Sequence, residues 1–136
     1  MTKTAVLDMH FVGGALYVYM DLWNRNLNRY NTAMLTFDTG ATVTTLSNEI
    51  VLELGYDVEE GRQQSITTAS DVVCVREVVI DRIRFGESEL EKIKIYAHDF
   101  PEESFSLGVV GLNILTKFDI RLVFSEKRIE LERIKE

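Results

Sequence analysis

Strand-like alternation, a two-residue turn signal and a twice-used order of strand, glycine and short helix point to a mainly β chain with few, short helices. Leu16, Val18, Met20 and Leu22 alternate with Tyr17, Tyr19, Asp21 and Trp23, the period of a strand with one buried face. Gly13-Gly14 separates that run from an earlier apolar stretch, and paired glycines between two such runs predict a tight hairpin. An apolar strand ending in a glycine turn and a short helix occurs in each half of the chain.

Taken in order, residues 5–12 and 16–23 form the strands of the first hairpin. Residues 24–31 are polar and predict a loop, and 31–37 form the next strand. Ser47 is a suitable N-cap and Gly55 a suitable residue beyond the C-terminus of a helix over 49–54. A long strand, broken or bent in places, is expected over 71–85 and another over 90–96. A loop follows over 97–107 and holds the sole proline, Pro101. Val109 and Val110 lead into Gly111, and a helix is predicted over 113–118. Residues 121–130 supply one or two further strands. Hairpin, apolar strand, glycine turn and short helix end at Leu54 in the first half and repeat over 72–118, a faint internal two-fold plan.

The length of 136 residues fits one domain, 1–136, with a single core, and 46% apolar residues are enough to pack it. A net charge of −7 argues against nucleic acid as a partner. No apolar stretch approaches a membrane span, and Met1-Thr2-Lys3-Thr4 lacks a secretory pattern. The opening Met suggests a free-standing gene product. Cys74 is the sole cysteine, so no intrachain disulfide forms, which suits the cytoplasm. His10, His98 and Cys74 are scattered without metal-ligand spacing, and no metal or cofactor is expected. His10 reads as a surface or hydrogen-bonded side chain, and Tyr17, Tyr19 and Trp23 as a core or interface stripe. Gly13-Gly14 has no following Lys-Ser/Thr pair to hold a phosphate, and Ser47 and Ser104 sit in no nucleophile motif.

The chemistry concentrates at Asp38-Thr39-Gly40-Ala41, directly after the apolar run Ala33-Met34-Leu35-Thr36-Phe37. Asp, Thr and Gly are ordinary turn residues, and a lone Asp-Thr-Gly also closes hairpins. The context distinguishes the two: strand, turn and short helix follow in order, and Val109-Val110-Gly111-Leu112-Asn113-Ile114-Leu115 provides a second apolar strand, glycine and helix. Together these segments resemble the framework of the retropepsin-like aspartic proteases, over roughly residues 16–124. The resemblance implies a retropepsin-like acid protease barrel with short helices, one half of a two-fold symmetric dimer.

Catalysis in that family needs two carboxylates that share a proton, because two neighbouring carboxyl groups do not both ionise cheaply. One Asp-Thr-Gly per chain therefore implies a homodimer, with Asp38 of each subunit at the axis. By the resemblance, Thr39 bonds across the axis, Gly40 leaves its N–H open to the carboxylate, and Ala41 is small enough for a substrate backbone to pass. Gly111 is the framework glycine that passes close beside the active-site loop. The family's flap corresponds to 65–72, with Thr68, Ala69, Ser70 and Asp71 as substrate-binding residues; Asp71 stands about where glycine is common. Viral members place an Asp after the Ala and an Arg after the second glycine, paired at the dimer interface. Thr42 and Leu112 stand there instead, so both partners are lost together and no charge is orphaned. Residues 130–136 are strongly charged and poorly suited to an interface core. The expected activity is an aspartic endopeptidase acting on peptide or protein substrates. The alternative is a non-catalytic retropepsin-like module that dimerises or binds peptides.

Overall fold

The structure is a computed structural model that describes residues 4–59, 61–67, 72–99 and 107–135. Its strands are β1 (Thr4–Asp8), β2 (His10–Val12), β3 (Ala15–Asn24), β4 (Arg29–Phe37), β5 (Thr45–Ser47), β6 (Arg62–Thr67), β7 (Val72–Phe85), β8 (Ser88–His98), β9 (Gly108–Val110), β10 (Phe118–Val123) and β11 (Arg128–Arg133). Two short helices are α1 (Asn48–Glu53) and α2 (Leu112–Leu115).

The larger sheet runs β2-β3-β4-β9-β5-β8-β7-β6, and β3 also pairs with β7. That extra pairing, Asp21 with Arg84 and Leu22 with Ile83, closes the sheet into a barrel and leaves β2 and β6 as its edge strands. The inward positions of β3 are Val18, Met20 and Leu22, all essentially inaccessible. They meet Leu35, Leu46, Ile80, Ile95 and Val110 in one core. A second sheet, β1-β11-β10, packs beneath the barrel. Ile129 and Leu131 of its central strand are buried, and Phe118 meets Phe85 edge to face at 5.5 Å.

The first hairpin forms as the sequence predicts. Val12 faces Ala15 across a two-residue turn, and Gly13 and Gly14 take φ of +60° and +84°, values that side chains resist. The N-terminal stretch 5–12 is two strands instead of one: β1 pairs with β11 and β2 with β3. Buried Met9 marks the switch, its N–H turned to the Lys127 carbonyl at 2.9 Å. The polar stretch 24–31 is a loop only over the tight turn 25–28, because the ladder continues through Trp23–Tyr30 and Asn24–Arg29. Asn24 makes this possible: its side-chain oxygen accepts from the Asn26 and Leu27 N–H groups at 2.9 and 3.0 Å and replaces ladder partners in the tight turn. Helix α1 starts at Ser47, whose hydroxyl accepts from the Ile50 N–H at 3.2 Å. It ends with Gly55 N–H on the Leu52 carbonyl and Tyr56 N–H on that of Val51, at 3.0 and 3.1 Å, a Schellman termination.

Strand β7 is continuous, but its inward alternation slips near Asp81 and Arg82. The Asp81 N–H leaves the sheet for the Tyr56 hydroxyl at 3.1 Å, and that hydroxyl donates to the Trp23 carbonyl at 3.0 Å. The outer face beside this slip is clamped by stacked cations. Arg82 lies over Trp23 at 3.9 Å, Arg25 over Tyr56 at 4.3 Å and Arg84 over Tyr30 at 4.5 Å. Arg25 grips Asp81 through two bonds of 2.9 Å, which hold the Asp81 carboxyl below its usual range. Burial, with a hydrogen bond to Glu89, pushes the Tyr30 hydroxyl up to about 12. The predicted aromatic stripe is divided: Tyr17 is buried, Tyr19 is exposed against His10, and Trp23 is covered by Arg82.

The predicted helix over 113–118 is a single turn one residue earlier, since Phe118 is needed as the first residue of β10. Strand β8 extends past 90–96 in both directions, taking Ala97 and His98 from the predicted loop. Strands β10 and β11 fill the C-terminal region around a 3₁₀ turn, Phe124–Glu126. The charged C-terminal strand is the middle of its own sheet. Of the described residues, no helix is long and apolar enough to cross a membrane.

Candidate active site

Strand β4 delivers Asp38 to the end of the barrel. It runs parallel to β9, with Thr36 facing Val109 and Phe37 facing Val110. The two strands therefore release their following loops side by side, which brings Asp38 and Gly111 together across more than seventy residues. The Asp38 N–H donates to the Val110 carbonyl at 3.2 Å.

Within the first loop, the Gly40 N–H donates to Asp38 Oδ1 at 2.8 Å. That bond pins the carboxylate in the loop. The loop is locked to the second by main-chain bonds, Leu112 N–H to the Ala41 carbonyl at 2.8 Å and Asn113 N–H to that of Thr42 at 3.1 Å. These stand where the resemblance has an ion pair, so Thr42 and Leu112 join the loops through their backbones. A Cβ on Gly111 would lie 2.8 Å from the Ala41 carbonyl oxygen and 2.9 Å from the Thr44 nitrogen. Both are backbone atoms that cannot swing aside, so the position requires glycine.

Beneath the loops lies a polar knot that the motif reading did not single out. Thr44 is 1% exposed. Its hydroxyl donates to Asn113 Oδ1 at 2.8 Å and accepts from the Gly111 N–H at 3.0 Å. Asn113 Oδ1 also accepts the Thr44 N–H at 2.8 Å, and Asn113 Nδ2 donates to the Lys94 carbonyl at 2.8 Å. The presence of Asn113 in the second motif was visible, but nothing local to Thr44 marks it as a partner.

Asp38 opens onto a cleft of about 550 Å³ lined by Gly40, Ala41, Thr42, Val43, Thr45, Ile66, Thr67 and Tyr96. Thr39 and Gly40 are exposed at its end. Thr68, Ala69, Ser70 and Asp71 lie outside the described residues. The strands on either side of them, β6 and β7, pair as an antiparallel hairpin, with Thr67 facing Val72. Ile66 and Thr67 lie in the stretch 65–72 expected to be the flap but are not named there as substrate-binding, and Tyr96 is not singled out by the sequence at all; they come from strands whose faces are assigned only when the barrel closes. No group of three or more His, Cys, Asp or Glu side chains able to hold a metal lies among the described residues.

A closed barrel bearing Asp-Thr-Gly on one loop, locked to a second glycine loop, is the retropepsin-like fold. Residues 26–114 match the aspartyl protease family, and the chain belongs to that family. Among solved structures, a retropepsin-like aspartic protease from Rickettsia conorii superposes with a TM-score of 0.70 at 18% identity, over 98% of this chain and 96% of that one. The retroviral protease-like domain of Ddi1 from Leishmania major superposes with a TM-score of 0.52 at 12% identity, over 90% of this chain and 95% of that one. No curated protein matches the sequence.

Proposed function

We propose that residues 1–136 form a single-domain aspartic endopeptidase that works as a homodimer, with Asp38 of each subunit forming one catalytic pair. The observation that carries this reading is the incompleteness of the site. Asp38 is the one carboxylate lining its cleft among the described residues, and the adjacent Thr39 and Gly40 are exposed. A second copy placed there supplies the missing carboxylate and covers those residues.

In the pair, one carboxylate takes a proton from water, which attacks the peptide carbonyl carbon. The protonated partner donates to the developing oxyanion. The tetrahedral species collapses as the C–N bond breaks and the nitrogen leaves protonated. Gly40 positions the carboxylate, Thr39 bridges the subunits, and Ala41 lets the substrate backbone pass. The cleft walls carry methyl groups and hydroxyls but no further charge among the described residues. Uncharged side chains beside the scissile bond suit them, since a buried charge there would lack a partner. The lone Cys74 and the family chemistry are compatible with a cytoplasmic setting.

Asp38→Asn tests the reading, because the change is nearly isosteric but removes the base. Peptide hydrolysis should fall to background while the melting temperature and dimer mass are retained. Residual activity in the purified variant sinks the assignment. A wild-type dimer that binds peptide in the cleft without turnover would instead select the non-catalytic module.

A further inference from the structure

We propose that Tyr96 is a positioning residue that ties the strand carrying one cleft wall to the framework beneath Asp38, through a hydrogen-bonded chain of Glu77, Gln64 and Tyr96. The inference rests on the cleft being the peptide site. Strand β6 supplies Ile66 and Thr67 to the cleft, yet it is the edge strand of its sheet and pairs only with β7. Its residues are exposed or half-exposed throughout, so apolar burial holds it weakly.

The register places three polar side chains on one face across three strands. Arg62 faces Glu77 and Glu77 faces Tyr96, and Gln64 lies two residues along from Arg62, hence on the same face. Gln64 Nε2 donates to Glu77 Oε2, and the Tyr96 hydroxyl donates to Gln64 Oε1 at 3.3 Å. The polarity is fixed by chemistry. An ionised carboxylate only accepts, so it orients the amide nitrogen of Gln64 and leaves the amide oxygen for the phenol.

Tyr96 is anchored at its other end too. Its N–H donates to the Thr44 carbonyl at 2.9 Å, and Thr45 faces it in a parallel pairing. Thr44 is the residue whose hydroxyl holds Gly111 and Asn113. One residue therefore links the loose edge strand, through its hydroxyl, to the knot under the catalytic loop, through its backbone N–H, and it lines the cleft between them. Loosening the tie lets the wall drift from the substrate without altering the carboxylates. The expected effect therefore falls on KM more than on kcat.

The experiment compares Tyr96→Phe, Gln64→Leu and the double variant, with steady-state kinetics on one peptide and amide hydrogen exchange on the same proteins. Each single change should raise KM about three- to tenfold, the range of one neutral hydrogen bond, with a smaller change in kcat. The double variant should be no worse than the worse single one, since both break one chain. Exchange at the Gln64, Ile66 and Thr67 amides should speed up in each variant. Unchanged KM, additive losses, or wild-type exchange in β6 overturns the tether. If the wild type hydrolyses no peptide, the proposed function fails by itself, and exchange in β6 alone decides the tether.

Discussion

Thr44 and Gly111 hold the two loops at the candidate site in register. Thr44→Val keeps the shape of the side chain but leaves the Gly111 N–H without its acceptor and removes one donor from Asn113. An unpaired buried polar group costs about 1–3 kcal/mol. The midpoint of urea denaturation should fall accordingly, with the slope unchanged; a wild-type midpoint would mean that water replaces the hydroxyl. Gly111→Ala adds a Cβ at 2.8 Å from two backbone atoms. Both loops must then separate, at a cost of about 1–3 kcal/mol or more, and activity should fall further than stability because Asp38 sits on the displaced loop. A Gly111→Ala protein with wild-type activity would show that the loops have slack.

Among the elements, β3 and β7 meet over only two residue pairs, and the barrel closes there. The stacked Arg25, Arg82 and Arg84 reinforce the seam from outside. Because the Arg25 pair lowers the Asp81 pKa, its contribution is fully present above the ordinary carboxylate value of about 3.9 and is lost as pH falls through the lower folded value. Both side chains are more than 40% exposed, so the pair is worth less than about 1 kcal/mol after screening. Arg25→Met should melt a few degrees below wild type at neutral pH, and the gap should close as pH drops through and below the carboxylate range. A gap that is constant with pH would assign the effect to the stacking of Arg25 on Tyr56 alone.

On the scale of the whole molecule, one chain carries half of the proposed chemistry. Activity per subunit should fall on dilution below the dimer dissociation constant, in step with the loss of dimer in sedimentation. Constant activity per subunit where only monomer sediments would place the chemistry within one chain. The rate should also be bell-shaped in pH, since the pair needs one carboxylate ionised and the other protonated. Thr39→Ala should move the dilution curve to higher concentration without changing the monomer's melting temperature.

Local pattern was sufficient for the strand-rich fold, the Gly13-Gly14 hairpin, the capped helix α1 and the two loop motifs. Each is specified by residues within about ten positions, and backbone sterics or a cap dictate the outcome. The strand at Asn24 and Arg29 was hidden because an Asn side chain replaced ladder partners within a polar stretch. The break at Met9 was hidden because both halves of an unbroken apolar run are strand, and only the existence of a second sheet separates them. The cleft shows the same division. Asp38, Thr39, Gly40, Ala41 and Gly111 could be named from their motifs, since their spacing carries the resemblance. Thr44 and Tyr96 acquire their places only when β4 runs parallel to β9 and β5 to β8, and Ile66 and Thr67 only when β7 carries β6 alongside β8. Contacts across thirty to seventy residues depend on register, and one residue of slip would turn each of these side chains to the opposite face.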